Sequence, residues 1–254
     1  MIDLHCHILP GIDDGAQNLT DSIELVKLAI ADGITHAVCT PHIQLGRFDN
    51  NVKTISTAFD LLVAQIKSQQ LKLEIAFAAE VRICPEIMLF SKQNKLPFIG
   101  KWQNTDVLLL ELPHSHIPPG TDQLIKWLHK NKITPMIAHP ERNRDIMADY
   151  HKLDMLCKLG CLFQVTAVSL CGQFGEIAQT IAVNMLKEDK VTILATDAHN
   201  VKRRPPNLLA GRNAAAEIIG EKKADSLVYD IPKLISQSKF INQSKFINQS
   251  KFNS

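Results

Sequence analysis

With 254 residues, 45% of them hydrophobic and 21% charged, the chain can bury one sizeable core and is neither a disordered nor a fibrous sequence. A net charge of +2, with acids and bases interspersed, leaves no electrostatic footprint for a duplex, so no nucleic-acid partner is expected. No apolar run is long enough to span a bilayer, which excludes a membrane-spanning reading.

The chain opens on a strand, Met1 to His5, without the basic and apolar regions of a signal peptide, so a cytoplasmic protein is expected. The helix Asp21 to Ala31 follows, starting on the capping-box pattern Asp21-Ser22-Ile23-Glu24 and stopped by Gly33. A strand from Ile34 to Thr40 leads to a helix from Asn51 to Gln70, and a strand from Leu73 to Glu80 comes next. Beyond it stand the strand Asp106 to Leu112 and helix Thr121 to Lys130, then the strand Thr134 to His139 and helix Lys152 to Leu159. The strand Cys161 to Thr166 precedes the helix Glu176 to Glu188, and the strand Val191 to Thr196 precedes the helix Asn207 to Ile219. Strands alternating with helices predict a parallel α/β architecture. Because no eighth strand follows, the expectation is a distorted seven-stranded (β/α)7 barrel rather than a closed eight-stranded one. The six cysteines stand singly, without a C-x-x-C pair, and read as reduced thiols.

Near the C-terminus Ser238-Lys-Phe-Ile-Asn-Gln recurs at Ser244 and, incompletely, at Ser250. Residues 1–235 therefore read as the domain and 236–254 as a repetitive tail. Either Phe240, Phe246 and Phe252 anchor a docking segment, or, as the polar composition favours, the tail is mobile or loosely helical.

In a β/α barrel the carboxyl ends of the strands converge on one mouth, and here they carry metal-ligand residue types throughout. The first strand ends in His5-Cys6-His7, the second runs into His42, the third ends at Glu80, the fourth at Glu111, the fifth at His139, and the seventh gives Asp197-Ala198-His199. An H-x-H or D-x-H on extended backbone puts both side chains on one side, so each pair can chelate. A lone histidine is more often packed or solvated, but coincidence at six strand ends points to a metal centre. Imidazoles and carboxylates without thiolates suit zinc, iron or manganese, and a carboxylate such as Glu80 can bridge ions, so a multinuclear centre for hydrolysis is expected. Arg142, three residues past His139, should reach the mouth as a phosphate clamp. His114 and His116 fall on a rim loop, His129 and His151 on polar helical stretches facing solvent, and His36 inside a strand.

The opening Met1-Ile-Asp-Leu-His-Cys-His-Ile-Leu-Pro-Gly-Ile-Asp-Asp-Gly-Ala resembles that of the PHP-domain tyrosine phosphatases of capsular and exopolysaccharide loci, the CpsB/CapC/YwqE family. Thr40-Pro41-His42, Ala79-Glu80-Val81, Leu110-Glu111-Leu112-Pro113, His139-Pro140-Glu141-Arg142-Asn143, Gln164-Val165-Thr166-Ala167, Phe174-Gly175 and Thr196-Asp197-Ala198-His199-Asn200 resemble it in the same order, up to about Gly220. The resemblance implies a barrel of the PHP type and three divalent ions, manganese first and iron or zinc as alternatives. Their ligands would be His5, His7, Asp14, His42, Glu80, Glu111, His139, Asp197 and His199. Asp14 follows Asp13 and precedes Gly15 in a turn, where a turn-forming or capping aspartate is as good a reading as ligation. Arg204 matches the family's second phosphate-binding arginine; the adjacent Arg203 reads as a solvated charge.

The resemblance also implies phosphotyrosine hydrolysis by a hydroxide shared between ions, with an autophosphorylating bacterial tyrosine kinase as substrate and partner and polysaccharide export as the process controlled. No cysteine is followed six positions later by arginine, which closes the thiol route to that reaction. A Walker loop, a G-x-S-x-G elbow and a His-Glu-x-x-His helix are absent too. The rival readings are a small-molecule PHP phosphatase of the histidinol-phosphatase kind, a PHP nuclease, and a metal-holding regulatory module without catalysis.

Overall fold

The computed structural model describes residues 1–250, with side-chain surroundings for residues 1–240. Its strands are β1 (Ile2–Cys6), β2 (His36–Cys39), β3 (His42–Ile43), β4 (Glu74–Phe77), β5 (Glu80–Arg82), β6 (Gly100–Trp102), β7 (Thr105–Glu111), β8 (Ile133–Ala138), β9 (Leu162–Thr166) and β10 (Ile193–Ala195). The helices are α1 (Leu19–Ala31), α2 (Val52–Ser68), α3 (Ile87–Lys92), α4 (Thr121–Lys130), α5 (Arg144–Ala148), α6 (Lys152–Lys158), α7 (Glu176–Lys187), α8 (Leu208–Ile219), α9 (Glu221–Val228) and α10 (Asp230–Ser250).

All seven expected strands are present, but the third is cut in two and a short further strand follows the second. Thr40-Pro41 separates β2 from β3, because proline has no N–H to give a ladder, and Ala78-Ala79 separates β4 from β5. The breaks move the chain from one sheet to another. β1, β2 and β4 form a parallel three-stranded sheet; β10, β9, β8, β7, β5 and β3 form a second parallel array, with β6 added as an antiparallel hairpin partner of β7. Gln103 and Asn104, both at positive φ, make the tight turn of that hairpin, which sequence periodicity did not signal. The expectation of one seven-stranded ring is thus corrected to two sheets. Besides the strand breaks they are tied at one corner by the parallel bridge of Cys6 and Ala198, where the His7 N–H donates to the Ala198 carbonyl and the Asp197 N–H to the His5 carbonyl, both at 2.8 Å.

Helix α1 begins on Asn18, whose side chain accepts from the Asp21 N–H, so the cap lies three residues before the expected Asp21. Asn51 caps α2 with a reciprocal bond to Thr54. The short helices α3, α5 and α9 lack an amphipathic period long enough to read.

Two apolar layers result. The outer one lies between strands and helices and includes Leu25, Leu62, Ile125, Leu110, Ile137 and Val165. The inner one is enclosed by strands of both sheets: Ile2, Leu4, Val38, Ala76, Ala78, Val107, Leu109, Met136, Ala138 and Ile193, joined by Ile99 and Ile235. Each large aliphatic side chain buried this way contributes about 1.5–3 kcal/mol. Helix α10 supplies Ile235 to the inner layer and runs without interruption across residue 236 into the repeat. Phe240 packs on the same layer with its ring 5.0 Å from that of His36; Phe246 and Phe252 fall outside the residues whose side chains are described.

Candidate metal centre

Strand alternation explains how most of the mouth is populated. Val107 and Leu109 face the inner apolar layer, so Glu111 follows on the same face of β7. The same step of two leads from Ala76 and Ala78 to Glu80, from Val38 toward His42, and from Ile193 toward Asp197. Two strands break the rule. On β1 the inner-facing residues are Ile2 and Leu4, yet His5 and His7 reach the mouth, because the register with β2 slips between Asp3 and Cys6. A bulge of this kind re-aims every residue after it. On β8 the inner-facing residues are Met136 and Ala138, and His139 turns inward through a left-handed backbone (φ 34°, ψ 55°) immediately before Pro140. Asp197 is left-handed as well, at φ 51°. Such conformations cost of order 1–3 kcal/mol and gather where function over-determines the backbone.

The nine candidate ligand side chains meet in four overlapping groups, each with donor atoms within 4.8 Å of one another: His7, Asp14, His42 and His199; His5, His7 and Glu80; His5, His139 and Asp197; His42, Glu80 and Glu111. The Nε2 atoms of His5 and His7 stand 3.1 Å apart, and each lies 3.2 Å from Glu80 Oε2 and 3.4 Å from Asp197 Oδ1. Glu80 also meets His42 Nδ1 at 3.1 Å and His139 Nε2 at 2.7 Å. Asp14 Oδ1 sits 3.4 Å from His42 Nε2 and 3.6 Å from His199 Nε2, so Asp14 points into the cluster. Asp13 does the turn-forming work, accepting from the Gly15 N–H at 2.9 Å and the His42 N–H at 3.1 Å. Gly15 is required, since a Cβ there would lie 2.1 Å from the His7 carbonyl oxygen.

Burial alone would raise the carboxyls of Glu80 and Asp197, but the neighbouring imidazoles and guanidiniums overcome it. His5, His42 and His139 hold Glu80 well below the usual range, and Arg142, Arg204 and His5 do so for Asp197. Glu111 goes the other way: burial and the neighbouring Glu80 push it up to about 7, against His42 and Arg82. Burial, then the Arg142 charge, pushes His139 down to about 3, which keeps its imidazole in the neutral form a metal binds.

These residues fit divalent ions on the geometry. Imidazole and carboxylate donors converge on shared points, and Glu80 Oε2 and His42 Nδ1 are buried without a hydrogen-bond partner, as atoms reserved for a cation would be. A further layer orients them. Gln164 Oε1 accepts from the His5 ring at Nδ1 (2.8 Å) and from the His139 N–H (3.1 Å), Asp13 Oδ2 holds His7 Nδ1 at 2.8 Å, and Arg82 grips Glu111 with two bonds of 2.8 and 2.9 Å. Sequence reasoning gave none of these roles. Arg82 had a signal, since Glu80-x-Arg82 places both side chains on one face.

Arg142 and Arg204 both bond Asp197 Oδ2, whereas Arg203 is exposed and bonds through its backbone, its N–H donating to Asn200 Oδ1 and its carbonyl accepting from Gln173. His114 is exposed on the loop after β7, with its ring 6.5 Å from that of His139. His129, expected in solvent, is half-buried beside Gly160, while His116 and His151 are exposed and His36 packs outside the mouth.

The sequence profile of the family described as capsular polysaccharide synthesis, CpsB/CapC, matches residues 1–237. The tyrosine-protein phosphatase YwqE of Bacillus subtilis (strain 168) is 35% identical over 204 residues, covering 80% of this chain and 79% of that protein. The putative tyrosine-protein phosphatase CapC of Staphylococcus aureus is 33% identical over 205 residues, covering 81% and 79%. Among solved structures, a chain from those of YwqE from Bacillus subtilis and CpsB from Streptococcus pneumoniae, metal-dependent tyrosine phosphatases, matches with a TM-score of 0.87 at 31% identity over 94% of this chain and 95% of that one. A histidinol phosphate phosphatase from Lactococcus lactis matches at 0.53 with 15% identity over 88% and 93%, a likeness of fold alone. With its profile match running nearly end to end and its strand-end cluster in place, the chain belongs to the CpsB/CapC family.

Proposed function

We propose that this chain is a metal-dependent protein-tyrosine phosphatase, and that the two sheets are halves of a distorted barrel of the PHP type. The observation that carries the reading is the meeting of nine donors from distant segments beside two arginines that share one carboxylate oxygen. His5, His7, Asp14, His42, Glu80, Glu111, His139, Asp197 and His199 would hold three divalent ions, with Glu80 shared between them. Manganese is the ion we propose, and iron or zinc suits the same donors. Bound there, such ions supply Lewis-acid charge to a phosphoryl group and make water acidic enough to furnish hydroxide near neutral pH.

Arg142 and Arg204 bind the phosphate oxygens. Their Nε atoms are buried without partners, so each guanidinium keeps a donor free of Asp197. Asp13 and Gln164 fix the tautomers of His7 and His5 through their Nδ1 atoms, leaving Nε2 for the centre. The leaving phenolate has a conjugate acid of pKa about 10, so no dedicated proton donor is required.

The relatives' printed activity supports phosphotyrosine as the substrate. A cell that presents it needs a tyrosine kinase, and we propose an autophosphorylating bacterial kinase of capsule or exopolysaccharide synthesis as the partner. Six unpaired cysteines fit a reducing, cytoplasmic setting, and among the described residues no helix is long and apolar enough to cross a membrane. Phosphotyrosyl peptide, histidinol phosphate and single-stranded DNA assayed side by side test the substrate class. Preferential turnover of the peptide is expected; preferential turnover of either other compound would replace this reading.

A further inference from the structure

Two guanidiniums that converge on one carboxylate oxygen repel each other, and something must hold them in that posture before a phosphate arrives. The candidate is Phe174. Its ring lies under both: Arg142 Cζ is 4.5 Å from the ring centroid and Arg204 Cζ is 5.9 Å. The negative face of an aromatic ring attracts a cation within about 6 Å, so one side chain serves both arginines. Arg142 comes from the turn after β8 and Arg204 from the loop after β10, and no ladder hydrogen bond joins those two segments to each other.

The segment bearing Phe174 is built to present it. Buried Glu141, the neighbour of Arg142, accepts from Ser169 Oγ at 2.7 Å and from the Thr166 N–H at 3.1 Å, fastening the segment to the first arginine's turn. The Gln173 side chain donates to the Arg203 carbonyl, fastening it to the second arginine's loop. Gln179 Nε2 donates to the Leu170 carbonyl at 2.8 Å. Beneath, Gly211 of α8 lets the helix touch the Ala167 turn, where a Cβ would stand 2.4 Å from the Ala167 carbonyl oxygen. The residue that touches both arginines thus stands on a segment bonded to both of their loops.

We propose that Phe174 is a positioning residue for phosphate binding: its ring, with Asp197, keeps Arg142 and Arg204 paired and aimed at the mouth, so the phosphoryl group meets a preformed two-arginine clamp. This rests on the assignment of those arginines to phosphate under the proposed function. An aromatic quadrupole is what the position needs, because leucine would fill similar space without attracting a cation.

The test compares Phe174→Leu with Phe174→Tyr and Phe174→Trp in metal-loaded full-length protein. It measures KM and kcat for phosphotyrosyl peptide, inhibition by inorganic phosphate, metal content and thermal melting. Phe174→Leu should raise KM and the inhibition constant for phosphate together, by about 5- to 20-fold, with kcat nearly unchanged, as loss of uniform binding requires. The aromatic variants should restore both. Added to Arg142→Ala/Arg204→Ala, the leucine substitution should change phosphate binding no further. Wild-type KM and phosphate inhibition in Phe174→Leu, or equal impairment in all three variants, would overturn the proposal. Wild-type protein that neither turns over phosphotyrosyl peptide nor binds phosphate would instead remove the proposed function beneath it.

Discussion

Along β7 the side chains of Val107 and Leu109 pack in an apolar interior, and two residues later Glu111 stands among imidazoles, carboxylates and an arginine. The interior is closed by Ile235 and holds no charge among its members; the mouth gathers buried Glu80, Asp197, Glu111, five histidines and Arg142. Because the strands run through both, one backbone serves two chemistries. The interior is held by area removed from water and tolerates apolar exchange of similar volume. The mouth is held by charge compensation, with left-handed His139 and Asp197 and with buried atoms that have no hydrogen-bond partner. Substitutions at the mouth should therefore remove activity, through the metal or through the phosphate clamp, and substitutions in the interior should remove stability.

The sharpest separation comes from metal removal. Chelation should lower phosphotyrosyl turnover by at least about 10³-fold while far-ultraviolet circular dichroism keeps the spectrum of the loaded protein. Next in size, Arg142→Ala should lower kcat/KM by about 10²- to 10³-fold with metal content retained, because a charge-assisted clamp on the transferring group is lost. A smaller effect is expected one layer out: Gln164→Ala or Asp13→Asn should weaken metal binding by about 10- to 100-fold, read by titration with a chromophoric chelator. At the other end, Ile235→Ala should cost about 2–5 kcal/mol in denaturant unfolding and leave kcat unchanged. An Ile235→Ala protein that stays fully stable but loses metal would erase the contrast.

The smallest effect lies on the border between the two regions. Burial raises the Asp3 carboxyl to about 6, against hydrogen bonds from Thr196 and His5 that favour the anion. A raised carboxyl contributes stability that is present in full below its unfolded pKa of about 4 and is lost as pH rises through the folded one. Asp3→Asn keeps the acceptor for both N–H groups and removes the titration. Between pH 4 and pH 7 the metal-free wild type should therefore lose up to about 3 kcal/mol relative to this variant, measured by denaturant unfolding at each pH. A difference that does not change with pH would mean that Asp3 titrates as an ordinary exposed carboxylate.

How much of this could be read in advance follows from strand parity. Glu80 and Glu111 are in step with the inner apolar residues of their strands, so strand-end reasoning could put them at the mouth from sequence. His5 and His139 were singled out from residue type, but the devices that turn them inward, the slip on β1 and the left-handed backbone before Pro140, carry no periodic signal. The division into two sheets was missed because the strand Ile34 to Thr40 was read as running into His42 within one sheet, whereas the chain changes sheets at Pro41. Asp13 looked like a turn residue and is one, yet its second oxygen also fixes His7, a role set by a neighbour distant in space. Phe174 and Gln164 lay in the motifs behind the family resemblance, but what they touch is a matter of tertiary contact.

The most direct test of the central claim is to strip the purified protein of metal and restore manganese in steps, measuring bound ion and phosphotyrosyl turnover in each sample. Turnover should start at background and rise with occupancy, reaching its plateau near three ions per chain. Full turnover in the stripped protein would contradict the account.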